Sequence, residues 1–219
     1  YSTAKNWTGN VAPSATDLAV FDATSTNSAT LDVDPNDNGF EIDIGYTSTI
    51  TQTNSIDITL DDQGWYQASG TFTRGDATSD ITMNNGADFV LTGGIFTTPG
   101  GQFSINDDWT YSGGTFTASS GTVRFYPAGS QNPTITGSTT FNNLSLYEDS
   151  FGGTITLSVA NGTTLTANGT LTFYNNNGDD NLDGTGTIQA KGDVQIVDAG
   201  WQFGSLVTTI NGTGTQNLI

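Results

Sequence analysis

Carboxylate and amide side chains at regular spacing are the residues of this chain best suited to bind an ion. The stretch Asp179-Asp-Asn181-Leu-Asp183-Gly184 has the D-x-N-x-D-G spacing in which alternate oxygens converge on one hard cation. The bidentate glutamate of a calcium loop is missing, because Ala190 stands at the twelfth position. The spacing predicts a structural Ca²⁺ held by Asp179, Asn181 and Asp183, with a solvated Asp/Asn turn as the alternative.

A second stretch, Asp32-Val-Asp34-Pro-Asn36-Asp-Asn38-Gly39, has a similar but weaker pattern. Gly45 falls where the glutamate ligand would be expected. A second calcium site is therefore predicted less strongly, with oxygen ligands from Asp32, Asp34, Asn36 and Asn38. In both places the ion would neutralise part of the acidic charge and hold a loop, and would take no part in catalysis.

The residue inventory excludes several kinds of active site. The chain has no histidine and no cysteine, so Ser-His-Asp triads and zinc sites of the usual types are absent. Arg74 and Arg124 are the only arginines, and nothing in the sequence places both beside an acidic cluster, as a polysaccharide lyase would need. We expect both arginines to be surface residues next to turns.

A glycosidase remains an alternative, since it needs only two carboxylates with tuned pKa values. The pairs Asp61/Asp62 and Asp107/Asp108 each precede a tryptophan, Trp65 or Trp109, that could stack on a sugar or equally belong to the core. With 20 aspartates in the chain, such pairs arise by accident. We expect the protein not to be an enzyme, with a glycan lyase or hydrolase as the alternative.

A repeated segment from Ile58 to Thr117 is the element that must position these residues. An aromatic residue comes five positions before a glycine in three copies, and a phenylalanine and a threonine follow each glycine. The aromatic residues are Trp65, Phe89 and Trp109, at intervals of 24 and 20 residues; the phenylalanines are Phe72, Phe96 and Phe116. A period of this length in β-type segments is typical of a solenoid. Each set of aromatic residues is expected to form an internal stack.

A ladder of inward residues extends the repeat, with steps of 20 to 23 residues through Leu60, Met83, Ile105, Phe125 and Leu146. We expect it to continue through Leu165, Ile188 and Ile210. The fold predicted is all-β, a right-handed parallel β-helix with roughly 20–24 residues per coil. The alternative is an antiparallel β-sandwich, because several Asn-Gly pairs could form hairpins.

The chain is expected to form a single domain. Residues 1–46, which contain Trp7, Pro13 and Pro35, are interpreted as an atypical N-terminal coil or cap, and residues 47–219 as the solenoid continuous with it. The text of residues 129–135 is echoed at 214–219, where the chain stops inside an apparent coil. Both ends are therefore expected to be open coils.

Composition limits the partners. A net charge of −18, with four basic residues, opposes binding to nucleic acid or anionic lipid, and no apolar segment is long enough to insert in a membrane. The 39 threonines and 28 glycines indicate strands and turns. Thr71/Thr73 and Thr115/Thr117 could order water on a flat face, but Ile95 interrupts that array.

Three segments carry a resemblance to known proteins: S-G-G-T-F-T-A-S-S-G-T-V-R-F (112–125), Q-N-P-T-I-T-G-S-T-T-F-N-N-L-S-L (131–146) and G-G-T-I-T-L-S-V-A-N-G-T-T-L-T-A-N-G-T-L-T-F (152–173). They resemble the Gly/Thr/Asn-rich β-solenoid repeats of bacterial surface proteins, of the autotransporter-passenger and filamentous-haemagglutinin-like kind. The resemblance implies an extracellular or cell-surface location and a structural or adhesive role.

Together these features predict an extracellular structural solenoid that self-assembles head-to-tail into a filament, sheath or surface layer. Self-assembly is expected because the end of an open solenoid presents unpaired backbone groups to another chain. An adhesin or glycan-binding stalk, with surface glycans as partners, is the first alternative. A polysaccharide-degrading enzyme is the second.

Overall fold

Hydrogen bonds between successive coils organise the chain, which the computed structural model shows as a parallel β-solenoid of about eight turns. The structure describes residues 1–127, 131–148, 154–175, 180–197 and 200–219. Every strand pairing among them is parallel, for example Trp65 with Phe89 and Phe96 with Phe116. The solenoid prediction is confirmed, and the antiparallel sandwich is wrong.

The first twelve strands of the described chain are β1 (Leu18–Phe21), β2 (Ala29–Leu31), β3 (Asn36–Ile42), β4 (Thr49–Gln52), β5 (Ile58–Gln67), β6 (Thr71–Thr73), β7 (Ile81–Met83), β8 (Phe89–Leu91), β9 (Ile95–Thr97), β10 (Gln102–Ile105), β11 (Trp109–Tyr111) and β12 (Thr115–Thr117). The rest are β13 (Thr122–Phe125), β14 (Thr134–Thr136), β15 (Thr139–Phe141), β16 (Asn143–Glu148), β17 (Thr156–Val159), β18 (Thr164–Ala167), β19 (Leu171–Asn175), β20 (Asn181–Gly184), β21 (Thr187–Ala190), β22 (Val194–Val197), β23 (Gln202–Phe203) and β24 (Val207–Ile210).

The strands form three faces around one core. Face one contains β7, β10, β13, β16, β19 and β22, and face two contains β1, β8, β11, β14, β17, β20 and β23. Strands β3 and β5 are long enough to run through both faces, which joins them into one 15-stranded sheet. Face three is divided into a five-stranded sheet (β2, β4, β6, β9, β12) and a four-stranded sheet (β15, β18, β21, β24).

The predicted stack of Phe72, Phe96 and Phe116 is confirmed, whereas in the second set only Phe89 and Trp109 stack and the ring of Trp65 packs against Phe72 and Phe96 instead. Phe89 pairs in register with Trp65 and Trp109, and its ring stacks on that of Trp109 with centroids 4.3 Å apart. On face three the ring of Phe96 stacks on that of Phe72 at 5.2 Å and on that of Phe116 at 6.0 Å. Such ring pairs contribute about 0.5–1.5 kcal/mol each beyond the burial of their area.

The predicted inward ladder is correct as far as Leu146 and wrong beyond it. Leu146 pairs with Phe173, and Phe173 pairs with Ile196, all on face one. Leu165 and Ile188 lie on face three instead. The difference arises because some later coils are longer than predicted. Leu144 pairs with Leu171 across 27 residues and Trp109 pairs with Ile135 across 26, both outside the predicted range of 20–24.

The glycines of the repeat turn the chain between face two and face three. Gly70, Gly94 and Gly114 have φ of 63°, 74° and 78°, in the left-handed region that favours glycine. A Cβ on Gly94 would lie 2.3 Å from the carbonyl oxygen of Ser69 in the preceding coil. These corners therefore require glycine for both conformation and space, which explains its fixed spacing from the buried aromatic residues.

The two ends of the solenoid differ. Residues 1–46 contribute β1, β2 and β3 to the same sheets as later coils. The rings of Tyr1 and Trp7 cover the N-terminal end, with Tyr1 5.9 Å from Phe40 and Trp7 5.6 Å from Phe21. Inward residues of the first coil are thus covered by two aromatic rings, whereas the outer edges of β1 and β2 have no partner strand among the described residues. An open N-terminal coil stays a prediction.

The buried stack yields a stability prediction. Trp65→Ala should lower the free energy of unfolding by about 3–5 kcal/mol, because it opens a cavity among stacked rings. Tyr66→Ala is a matched control, since Tyr66 is the next residue of the same strand and points outward; it should cost less than about 1 kcal/mol. Urea unfolding followed by circular dichroism compares them, and equal losses would contradict the assigned orientation.

Candidate functional site

Aspartates at the corner before face one bind the backbone of the next coil. The carboxylate of Asp34 accepts a hydrogen bond from the backbone N–H of Asp57 at 3.0 Å, and that of Asp57 accepts one from Asp80 at 2.9 Å. Asp80 in turn accepts from the N–H of Gln102 at 2.6 Å. Four consecutive coils are thereby linked by three equivalent contacts, which satisfy N–H groups that the corner removes from the sheet.

The corner before face two repeats this arrangement. Asp88 accepts a hydrogen bond from the backbone N–H of Asp108 at 2.9 Å, and Asp108 accepts one from Thr134 at 2.7 Å. Asn106, which is buried, accepts from the N–H of Gly86 and donates to the carbonyl of Tyr126, both at 2.8 Å. The polar side chains at the corners thus have a structural role between coils.

The stronger predicted calcium site falls on a strand. Asp179 lies outside the described residues, while Asn181 and Asp183 are in β20 on face two. In a strand, alternate residues are about 6.6–6.8 Å apart and their side chains run parallel, so they do not wrap an ion as a loop does. Asp183 accepts a hydrogen bond from the backbone N–H of Ser205 at 3.0 Å, which lowers its pKa. Calcium binding at these residues stays a prediction.

The residues of the weaker predicted calcium site do not share a common partner. Asp32 lies 3.1 Å from the N-terminal ammonium and accepts from Ser2, and the Ser2 N–H contact is the main cause that lowers its pKa to about 2. Asp34 faces the next coil, and the backbone N–H of Asn38 donates to Asp17. Asn36, the first residue of β3, is exposed.

Asp37, which lies between Asn36 and Asn38, is buried and accepts a hydrogen bond from the hydroxyl of Tyr1. Burial raises the pKa of Asp37 to about 6. In the described part of the chain no group of three or more His, Cys, Asp or Glu side chains could hold a metal ion.

The candidate carboxylate pair Asp107/Asp108 has one unusual member. Burial raises the pKa of Asp107 to about 6, and the charges of Asp108 and Asp88 add to this rise. A carboxyl group with a raised pKa beside a second carboxyl group is the electrostatic arrangement of an acid/base pair. However, a concavity of about 1200 Å³ lies at the N-terminal end among residues such as Trp7 and Phe21, away from this pair.

The tryptophans beside the candidate pairs do not face solvent. Trp65 and Trp109 are fully buried in the core cluster. The sugar-stacking interpretation of these two residues is therefore wrong, because the period-two pattern of their strands directs both rings inward.

Threonines form an outward ladder along the first part of face three. The hydroxyl of Thr73 donates to the hydroxyl of Thr51 at 3.1 Å, one coil away. Ile95 interrupts a parallel row and is exposed. The outward ladder consists of Thr30, Thr51, Thr73, Thr97 and Thr117. Water ordering by this face stays a prediction, since such ladders also stabilise a sheet directly.

The two arginines occupy different surroundings. Arg74 follows β6 and donates to the carbonyl of Gly75 at 3.3 Å, next to a turn as expected. Arg124 lies within β13, and its guanidinium carbon is 3.4 Å from the ring centroid of Tyr147. The expectation of a turn position is wrong for Arg124. The recurrence of tyrosine at Tyr126, Tyr147 and Tyr174 was the sequence signal for this contact.

The chain matches no family model, no curated protein and no solved structure. The described residues include no helix long and apolar enough to cross a bilayer; their one helix is the turn Ala4–Asn6.

The carboxylates predict a stability optimum in mild acid. Asp37 and Asp107, with pKa values raised to about 6 from 3.8, bind protons more readily when folded, so stability should rise as pH falls from 7.5 towards 4. Asp32, with its pKa lowered to about 2, contributes stability above pH 4 that is lost as pH falls through 2. Thermal unfolding from pH 2 to 8 measures both trends.

Asp107→Asn isolates one contribution to this profile. The variant should exceed the natural protein in stability at pH 7.5, by at most about 1 kcal/mol because water screens a half-exposed carboxylate, and should equal it near pH 4. Identical pH profiles for the two proteins would contradict the raised pKa of Asp107.

Calcium binding is tested by chelation. If Asn181 and Asp183 hold Ca²⁺, EDTA should lower the melting temperature and Asp183→Asn should abolish the shift. Asp193→Asn is the matched control, because Asp193 also accepts a backbone N–H from the next coil, from Asn217 at 2.8 Å, but lacks the D-x-N-x-D spacing. An unchanged melting temperature with EDTA removes the calcium prediction.

Proposed function

We propose that this protein is an extracellular structural scaffold, a rod of stacked coils that assembles head-to-tail with further copies of itself. The observation that supports assembly is the exposure of inward-facing apolar residues on the coil farthest from the N-terminus. Phe203, Ile210 and Leu218 are 55%, 57% and 70% exposed, although their partners in the preceding coil, Leu182, Ala190 and Val194, are buried.

Unpaired backbone groups beside these exposed apolar residues favour a β-strand as the binding partner. Strands β23 and β24 each pair with one neighbour only among the described residues, so their outer N–H and C=O groups face outward. A parallel strand placed there would satisfy these groups and cover the apolar side chains together. A second copy offers such strands in β1 and β2, each of which also pairs on one side only.

The N-terminal cap determines how this contact could form. Tyr1 and Trp7 lie over Phe40 and Phe21 at the end that would receive the partner. The segment is held by the ammonium of Tyr1, which donates to the carbonyl of Thr30 at 2.7 Å and pairs with Asp32. Assembly through β1 and β2 therefore requires the cap to move aside, which slows assembly.

The extracellular part of the proposal rests on sequence composition and resemblance. Abundant threonine, asparagine and glycine are shared with the surface-protein repeats that residues 112–125, 131–146 and 152–173 resemble. We propose no catalytic role, because aspartates at the described corners such as Asp34 and Asp88 accept hydrogen bonds between coils.

Assembly is tested by light scattering and electron microscopy over a concentration series. The natural protein should form filaments, and Phe203→Glu should raise the concentration needed at least about tenfold, because stacking would bury an unpaired carboxylate. Ile95→Glu is the control, since Ile95 is 44% exposed but lies on the side of the rod. A monomer at every concentration, or equal effects of both variants, would contradict the proposal.

Loosening the cap provides an independent check. Trp7→Ala should accelerate assembly, because it uncovers Phe21 at the receiving end. Slower assembly of this variant would argue against β1 and β2 as the receiving strands.

A further inference from the structure

Arg124 has no anionic partner in the described part of the chain, although the protein is strongly acidic. The chain carries 22 acidic and four basic residues. Among the described residues the one ion pair joins the N-terminal ammonium to Asp32. Arg124 is half-buried, and its Nε is buried and donates to no acceptor within the described residues. Burying part of a guanidinium without compensation is costly, so its position calls for an explanation.

Two tyrosine rings hold the guanidinium in place. Its central carbon lies 3.4 Å from the ring centroid of Tyr147 and 4.5 Å from that of Tyr126. The ring of Tyr174 stacks on that of Tyr147 with centroids 4.2 Å apart and planes within 5°. Cation–π contact of this kind fixes the plane of the guanidinium and leaves its N–H donors at the edge.

Small side chains make room for the guanidinium on both neighbouring strands. Arg124 pairs in register with Ser104 of β10 and Ser145 of β16. Both serines point outward, yet they are only 3% and 9% exposed. The site is therefore a shallow bed three coils wide, with a small serine on the strand at each side of Arg124 and tyrosine rings against the guanidinium.

Among the residues that the structure describes, the outward side chains around this bed carry no negative charge. Outward residues of the four central strands of face one, β10, β13, β16 and β19, are uncharged apart from Arg124: Gln102, Ser104, Thr122, Asn143, Ser145, Tyr147, Thr172 and Tyr174. Glu148, the acidic residue of β16, is fully buried. An otherwise acidic molecule thus has, on face one, a neutral patch with a single positive charge at its centre.

We propose that this patch, termed the Arg124 patch, binds a carboxylate group of an acidic polysaccharide. A fixed guanidinium with its donors at the edge suits a planar carboxylate, which it can bind through two parallel hydrogen bonds. The ring faces of Tyr147 and Tyr174 cover each other, so flat stacking of a neutral sugar is not what this patch offers. Charge pairing is the primary contact.

The regular recurrence of polar side chains along the Arg124 patch favours a polymer over a small acid. Amide and hydroxyl side chains recur on each coil, at roughly 4.8 Å intervals along the axis. A linear polysaccharide lying along face one would therefore find a hydrogen-bond partner at each coil, while one of its carboxylates pairs with Arg124. This inference is independent of head-to-tail assembly, which uses the ends of the rod.

The test uses an oligomer of galacturonic acid, its methyl ester and sodium acetate as probes. Isothermal titration is performed at a concentration where the protein is monomeric. The natural protein should bind the acidic oligomer, and Arg124→Gln should weaken binding at least about tenfold, because the charged partner is lost. Arg74→Gln is the matched control, with the same change of charge at an exposed arginine that contacts no ring, and should bind as the natural protein does.

Several outcomes would overturn the proposal. It fails if the natural protein does not bind the acidic oligomer, or if Arg74→Gln weakens binding as much as Arg124→Gln. Equal binding of the methyl ester would show that the carboxylate is not recognised. Acetate binding as tightly as the oligomer would indicate a general anion site.

A direct measurement on the natural protein covers the case in which Arg124→Gln does not fold. The side-chain Nε–H resonance of Arg124 should shift when the acidic oligomer is added and should not shift with the methyl ester. Arg124→Lys, which keeps the charge but loses the planar donor pair, should retain only part of the affinity. No shift of the Arg124 resonance would overturn the proposal by itself.

Discussion

Parallel hydrogen bonding between each coil and the next is the constraint on which this structure depends. Each strand can satisfy its backbone groups only through the equivalent strand one coil away. Equivalent positions are therefore superimposed, and a residue type that suits one coil suits its neighbours. The stacked rings of Phe72, Phe96 and Phe116 and the left-handed glycines at Gly70, Gly94 and Gly114 both follow from this superposition.

At the corners this constraint leaves backbone groups without a partner strand. A corner removes N–H groups from the sheet, and aspartates such as Asp57, Asp80 and Asp108 accept hydrogen bonds from them across coils. Much of the acidic character thus has a structural origin. Where carboxylates of neighbouring coils come close, as Asp107 does to Asp88 and Asp108, burial and mutual repulsion raise the pKa, so a solenoid held together by aspartates is sensitive to pH.

The same geometry shapes the surface available for function. The rings of Tyr1 and Trp7 pack over Phe40 and Phe21, whereas Phe203 and Leu218, which follow β22, are exposed. Along the side of the rod, face one contains a neutral region in which Arg124 lies between tyrosine rings. The proposed head-to-tail contact and the proposed carboxylate site are compatible in one molecule, because they use different surfaces.

Sequence periodicity alone determined the parallel solenoid, the inward orientation of most alternating residues and one of the two aromatic stacks, because residue spacing within a coil is a local property. It could not determine which coils are long, so the ladder beyond Leu146 was assigned to the wrong face. Nor could it distinguish the Asn181–Asp183 strand from a calcium loop, or Trp109 in the core from an exposed platform. Only the tertiary structure decided the place of Arg124, since its contact with Tyr147 joins residues from different coils. Contacts between coils depend on the length of every intervening turn, and that information is not contained in any single repeat.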